Sequence, residues 1–196
     1  IEAVGGYRYV PNSEDSDLFW RLAEKGALIN LPDVLGKYRV HTASISSSIV
    51  SGRVMAIGSQ LGAFSALRRR AGGADIALSK DLPGALKSAA TLEGMIAVAA
   101  PLLNTEEIAH LRIAAAAKLM ELARYRPFEL DAGDCAFIRA ALQHTSTLTP
   151  ANQKEVDWYV TVTAARLIRK GKFGEALALT PPRSLPKAAA RVLLSR

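Results

Sequence analysis

"GGYRYVPNSEDSDLFWRLAEKG", residues 5–26, decides how the rest of the chain is read. A glycine pair opens it, carboxylates cluster at Glu14, Asp15 and Asp17, and an aromatic amphipathic run follows. Leu18, Phe19, Leu22 and Ala23 fall at helical spacing, so "DSDLFWRLAEKG" predicts a helix, with Gly26 where a terminating glycine belongs. The carboxylates have two readings. In one, Ser13 or Asp15 caps the helix and the other acids sit favourably in its first turn. In the other, they form a catalytic or metal centre.

The triplet "DSD" (15–17) spells the Asp-x-Asp with which nucleotide-sugar enzymes hold a divalent metal. That use needs a buried apolar strand just before it, and "YVPNSE" is polar and carries a proline. The triplet is therefore not assigned as that motif. Asp17 also lies roughly 200° around the helix from Asp15, which assigns Asp17 to capping or packing.

Outward from this stretch, residues 1–50 carry most of the turn signals. "ALINLP" (27–32) and "VLGKYRV" (34–40) predict a strand pair, and "TASISSS" (42–48) predicts a loop. From about residue 51 the pattern is helical. Val54, Ile57, Leu61, Phe64 and Leu67 make one face that stops at Gly72–Gly73. Asn104 and Glu107 make a capping box ahead of a stripe at Ile108, Leu111, Ala115, Leu119 and Leu122. Further helices are predicted near 134–144, from Thr149 and Pro150 to Gly171, and near 172–179 and 185–194. The expected fold is mainly α: a bundle-like helical domain, 51–196, preceded by a small α+β unit, 1–50.

Composition bounds the function classes. Of 196 residues, 49% are hydrophobic and 22% charged, which is ordinary for a globular protein. A single cysteine, Cys135, excludes an intrachain disulfide and a cysteine-based zinc site, and fits a reducing, cytoplasmic setting. The longest apolar run, "MIAVAAPLL" (95–103), is about half the length of a bilayer span. Residues 1–50 hold five Lys/Arg against six Asp/Glu, whereas the remaining residues hold 20 against 12. That basic balance makes an anionic surface at the inner face of the membrane a candidate partner. The cations are dispersed apart from "RRR" at 68–70, where they also suit a helix C-terminus, and no nucleic-acid motif accompanies them. Nucleic acid is not an expected partner.

The ordered series across 5–46 resembles the second half of the catalytic domain of family-two, GT-A-type glycosyltransferases. It runs from Gly5, Gly6 and Tyr7 through Glu14, Asp15, Asp17 and Leu18, then Arg21, Leu22 and Gly26, to Leu31, Pro32 and "YRVH" (38–41). The resemblance covers about a quarter of the chain. It implies an inverting transfer of a sugar from a nucleotide-sugar donor to a hydroxyl of a glycan or lipid-linked acceptor. Asp15 is then the catalytic base, because a carboxylate at a helix start can take the acceptor's proton as it attacks. Glu14 is the acceptor-binding partner, and Gly5, Gly6, Tyr7 and Arg39 lie near the donor. His41 is implied as a ligand of a diphosphate-bound Mn or Mg ion, or else is a histidine ending a strand. Arg39 pairs with a phosphate or lies along the surface.

The same resemblance implies a nucleotide-binding β/α half, and no βαβ pattern or glycine-rich phosphate loop occurs in these residues. The expectation is a fragment that transfers no sugar and binds no metal by itself. The alternative is a non-catalytic helical module that docks a protein or a membrane surface. A second copy of the chain is a further candidate partner, since unpaired strand edges invite pairing.

Overall fold

The computed structural model describes residues 1–37 and 47–194. Nine α-helices are found among them: α1 Glu14–Ala23, α2 Ile49–Arg70, α3 Leu82–Ala89, α4 Leu92–Ala99, α5 Thr105–Tyr125, α6 Ala132–Ala141, α7 Pro150–Arg169, α8 Phe173–Leu179 and α9 Leu185–Leu194. Short 3-10 turns, including Glu2–Val4 and Leu142–Thr147, join them. The mainly helical expectation holds, and no strand occurs among the described residues.

The α2–α5 pair forms the centre. Val54, Ile57 and Leu61 of α2 and Leu111, Ala115, Leu119 and Leu122 of α5 are almost fully buried in one continuous core. The anticipated stripes thus carry the packing, except that Leu67 at the end of the α2 stripe is exposed. α3 and α4 pack on α2, α6 and α7 pack on α5, α8 lies against α6 and α7, and α9 lies against α7. Alanines at 115, 116, 123, 164 and 165 let these helices approach closely, so a chain with few aromatics still closes its interior.

Helix ends follow the local chemistry. Asn104 and Glu107 form the anticipated capping box, with the Asn104 side chain accepting from the Glu107 N–H at 2.9 Å and Glu107 returning the bond to the Asn104 N–H at 2.9 Å. Thr149 caps α7 and Pro150 occupies its first position. A second capping box, Asp131 with Asp134, opens α6.

The α+β unit expected before residue 50 is corrected. Residues 27–37 are irregular, with a bend at 32–33, and make no backbone hydrogen bond among the described residues. A strand exists only against a partner, and Pro32 removes one of the donors a ladder would use. The remainder of the second predicted strand, 38–40, lies outside the described residues.

The expectation for α1 also needs amendment. Leu18 is buried, Leu22 is half-buried, and Phe19 and Ala23 face solvent. The buried face is made instead by Asp17, Leu18 and Arg21. Gly26 does not end the helix in a left-handed conformation: α1 closes at Glu24 in the right-handed region, and the N–H groups of Lys25 and Gly26 return to the Leu22 carbonyl.

Candidate functional site

The chain enters α1 through a turn fastened to α2. Val10 and Pro11 are buried, Asn12 takes a positive φ of 53°, and its amide donates to the Ser51 carbonyl at 3.3 Å. A methyl group at Gly58 would overlap the Pro11 carbonyl oxygen, and one at Gly62 would touch Asp17 Cβ at 3.5 Å. Gly58 and Gly62 are four residues apart and so share a face, forming a notch in α2 that receives the opening segment. Only glycine at 58 permits that approach.

Ser13 occupies the N-cap position, but its hydroxyl donates to the Met55 carbonyl at 3.5 Å and does not cap the helix. The first turn relies on its acids: Glu14, Asp15 and Asp17 lie where the helix dipole favours negative charge. Their environments differ sharply. Glu14 and Asp15 are exposed, and the Asp15 carboxylate accepts from the Ser16 N–H at 2.7 Å. Asp17 is completely buried.

A buried carboxylate needs partners, and Asp17 has two arginines. Arg8 donates to both of its oxygens, through Nε at 3.1 Å and through Nη2. Arg21, one helical turn on, donates from Nε to Oδ2 at 2.9 Å. The rest of the Arg21 guanidinium reaches back to the carbonyls of Val4 and Gly6, the latter at 2.6 Å. Gly5 and Gly6 both adopt positive φ, 76° and 70°, which turns those carbonyls towards Arg21 without a side chain in the way. The glycine turn and the helix bearing Glu14 and Asp15 are therefore one connected unit.

The network continues into α2. Arg8 donates to Ser65 Oγ and Asp75 at 2.8 Å each, Ser65 donates to Asp75, and Arg69 bridges Asp75 at 2.8 Å and Glu24 at 2.7 Å. Burial opposes ionisation of Asp75, but Ser65, Arg69 and Arg8 outweigh it and hold the carboxyl below its ordinary range. Hydrogen bonding from Arg69 holds Glu24 below its range as well, against a smaller opposing effect of burial. The three arginines at 68–70 are thus individually employed: Arg68 on Glu107, Arg69 on Glu24 and Asp75, and Arg70 stacked 5.2 Å from the Trp20 ring. Their shared sequence signal was charge, whereas their partners lie up to 50 residues away. The Asp17–Arg21 pair was the accessible clue, because residues four apart on a helix meet.

Tyr7 is exposed beside this unit, while Arg39 and His41 lie outside the described residues. Among the described residues, no group of three or more His, Cys, Asp or Glu is arranged to hold a metal ion. Asp17 does not offer free oxygens for one, since Arg8 and Arg21 occupy them. The one residue that the resemblance implies as a metal ligand, His41, lies outside the described residues, and no chemical step is assigned to a metal.

Three cavities lined by described residues lie elsewhere. One of about 610 Å³ is lined by residues including Ile108, His110, Ile113, Ala141 and His144, between α5 and the 3-10 turn after α6. Neither Glu14 nor Asp15 lines it. Among the described residues, no helix is long and apolar enough to cross a membrane. No family model, no curated protein and no solved structure matches this chain.

Proposed function

We propose that residues 1–50 belong to the catalytic domain of an inverting, GT-A-type glycosyltransferase, with residues 51–196 as a helical appendage. The observation that supports this reading is the division of labour in the first turn of α1. Asp17 carries the structural charge in the interior, which leaves Glu14 and Asp15 in solvent and without an ion-pair partner among the described residues.

In this reading an acceptor hydroxyl attacks the anomeric carbon of a nucleotide sugar. The new C–O bond forms as the bond to the diphosphate breaks, the diphosphate leaves with that electron pair, and Asp15 takes the hydroxyl proton. Glu14 orients the acceptor, and the Gly5–Gly6 turn with Tyr7 borders the donor. Donor binding requires a nucleotide-binding unit, so the 196 residues alone do not turn over.

The test has two arms. The 196-residue chain, incubated with nucleotide sugars and hydroxyl acceptors, gives no product; turnover would refute its inactivity. In a polypeptide that also carries the donor-binding half, Asp15→Asn lowers transfer by roughly 10²–10⁴-fold and leaves donor binding intact. Unchanged turnover removes Asp15 as the base.

A second reading, a non-catalytic docking module, is favoured by one surface feature. Arg124 and Arg191 lie 4.5 and 5.9 Å from the ring of the partly exposed Trp158, a cationic and aromatic site where α5, α7 and α9 meet. Flotation of the chain with anionic vesicles, lost on Trp158→Ala with Arg124→Gln, supports that reading. No flotation excludes the membrane version.

A further inference from the structure

Exposed apolar side chains are unevenly distributed. Among the described residues, ten of the fifteen large hydrophobic side chains that face solvent lie between residues 1 and 35. Half of those ten fall in one irregular segment: Leu28, Ile29, Leu31, Val34 and Leu35 are 54%, 83%, 64%, 92% and 77% exposed. The backbone of 27–37 makes no hydrogen bond with the described remainder of the chain. A segment with open backbone groups and aliphatic side chains can add to another chain by edge pairing.

The area and the charge say what covers it. At on the order of 100 Å² per fully exposed Val, Leu or Ile, these five side chains offer about 400 Å² of apolar surface per copy. A standard interface takes about 800 Å² from each partner, a little over half of it non-polar. The segment alone thus supplies most of the apolar area that one side of a standard interface takes. Its charges are balanced, with Asp33 against Lys37, so two identical segments meet without net repulsion. An anionic lipid surface is a poorer match, because residues 1–37 hold four Lys/Arg against six Asp/Glu.

We propose that two copies of this chain associate across a two-fold axis through residues 27–37. The aliphatic side chains of one copy close over those of the other, and the backbone groups left open within each copy pair between them. The contact is independent of any catalytic role for Asp15, so activity measurements neither support nor damage it.

Light scattering and sedimentation of the 196-residue chain, from about 1 to about 200 µM, test the proposal. The result expected is a species of twice 20.9 kDa, with amides 27–37 protected from hydrogen exchange as it forms. The double variant Ile29→Asp, Leu35→Asp places charge at exposed positions, so its helical circular dichroism stays unchanged while the dimer weakens at least 100-fold. A monomer at every concentration overturns the proposal, as does open-ended assembly. A dimer that the double variant leaves intact moves the interface elsewhere and also overturns it. Co-sedimentation of a monomeric chain with phosphatidylserine vesicles, lost in the double variant, would replace the second copy with a membrane.

Discussion

Arg8 and Asp17 form a two-point ion pair at the junction of the opening segment and α2, with Arg8 donating to both carboxylate oxygens. The Asp17 side chain is fully buried and that of Arg8 is 23% exposed, so solvent cannot replace either partner on the aspartate side. The pair joins the glycine turn through Arg21 and the α2 surface through Ser65 and Asp75. Few apolar contacts do this work: Val10, Pro11 and Leu18 are the buried apolar residues of the first 37.

Removing the aspartate should therefore be costly. Asp17→Ala leaves the Arg21 guanidinium buried with its anion gone, a change that typically destabilises by about 3–5 kcal/mol. Asp15→Asn, two residues away and exposed, should stay within about 0.5 kcal/mol of the parent. Urea denaturation of both variants checks the contrast. Equal losses would mean that Asp15 also has a structural role, and would remove the observation on which its assignment as base rests.

The notch in α2 makes a second prediction. Gly58→Ala drives a methyl group into the Pro11 carbonyl, and the backbone there has no flexible side chain to move aside. Overpacking of this kind costs about 1–3 kcal/mol. The loss should appear first as faster hydrogen exchange in α1, with α5 unaffected, because the displaced element is the opening segment. Gly84→Ala, where an added methyl meets nothing, serves as the control.

Acid should loosen the same junction. Asp75 and Glu24 are both held below their ordinary values, 3.8 and 4.5, by the arginines they face. A carboxylate whose folded value is depressed stabilises fully above its unfolded value and loses that contribution as pH falls through the folded value. The junction is thus insensitive to pH near neutrality and weakens below about pH 4. Trp20 fluorescence should report this, since its stacking on Arg70 depends on α1 staying docked. A fluorescence change centred near neutrality would contradict it.

Cys135 should be chemically silent. Its side chain is buried in the core of α6, and desolvation, reinforced by Asp134, pushes its thiol up to about 12. The thiolate is the reactive form, so alkylation at pH 8 should be negligible in the folded chain and rapid in denaturant. Fast labelling of the native protein would mean that α6 opens readily.

How much of this was legible beforehand follows from how far each interaction reaches. The stripes of α2 (Leu67 apart) and α5, the Asn104–Glu107 box, and the Thr149–Pro150 start depend on residues within one or two turns, and they appear as the sequence predicts, whereas the α1 stripe does not. The strand pair at 27–40 does not appear in its described part, because a strand is a property of two segments and no described segment lies against it. The buried charge network was likewise illegible. Arg8, Ser65, Arg69 and Asp75 are scattered over nearly 70 residues, and nothing local distinguishes them from other surface charges.

The opening stretch concentrates both lessons. Sequence alone predicted a helix over "DSDLFWRLAEKG" with an acidic start, and α1 spans Glu14–Ala23 with Glu14, Asp15 and Asp17 in its first turn. The helical offset assigned Asp17 to capping or packing, but its complete burial and its partners were decided only by tertiary structure. The glycine notch of α2 brings Asp17 against Arg8 and Arg21, where desolvation demands a full complement of donors, and Glu14 and Asp15 are left to solvent.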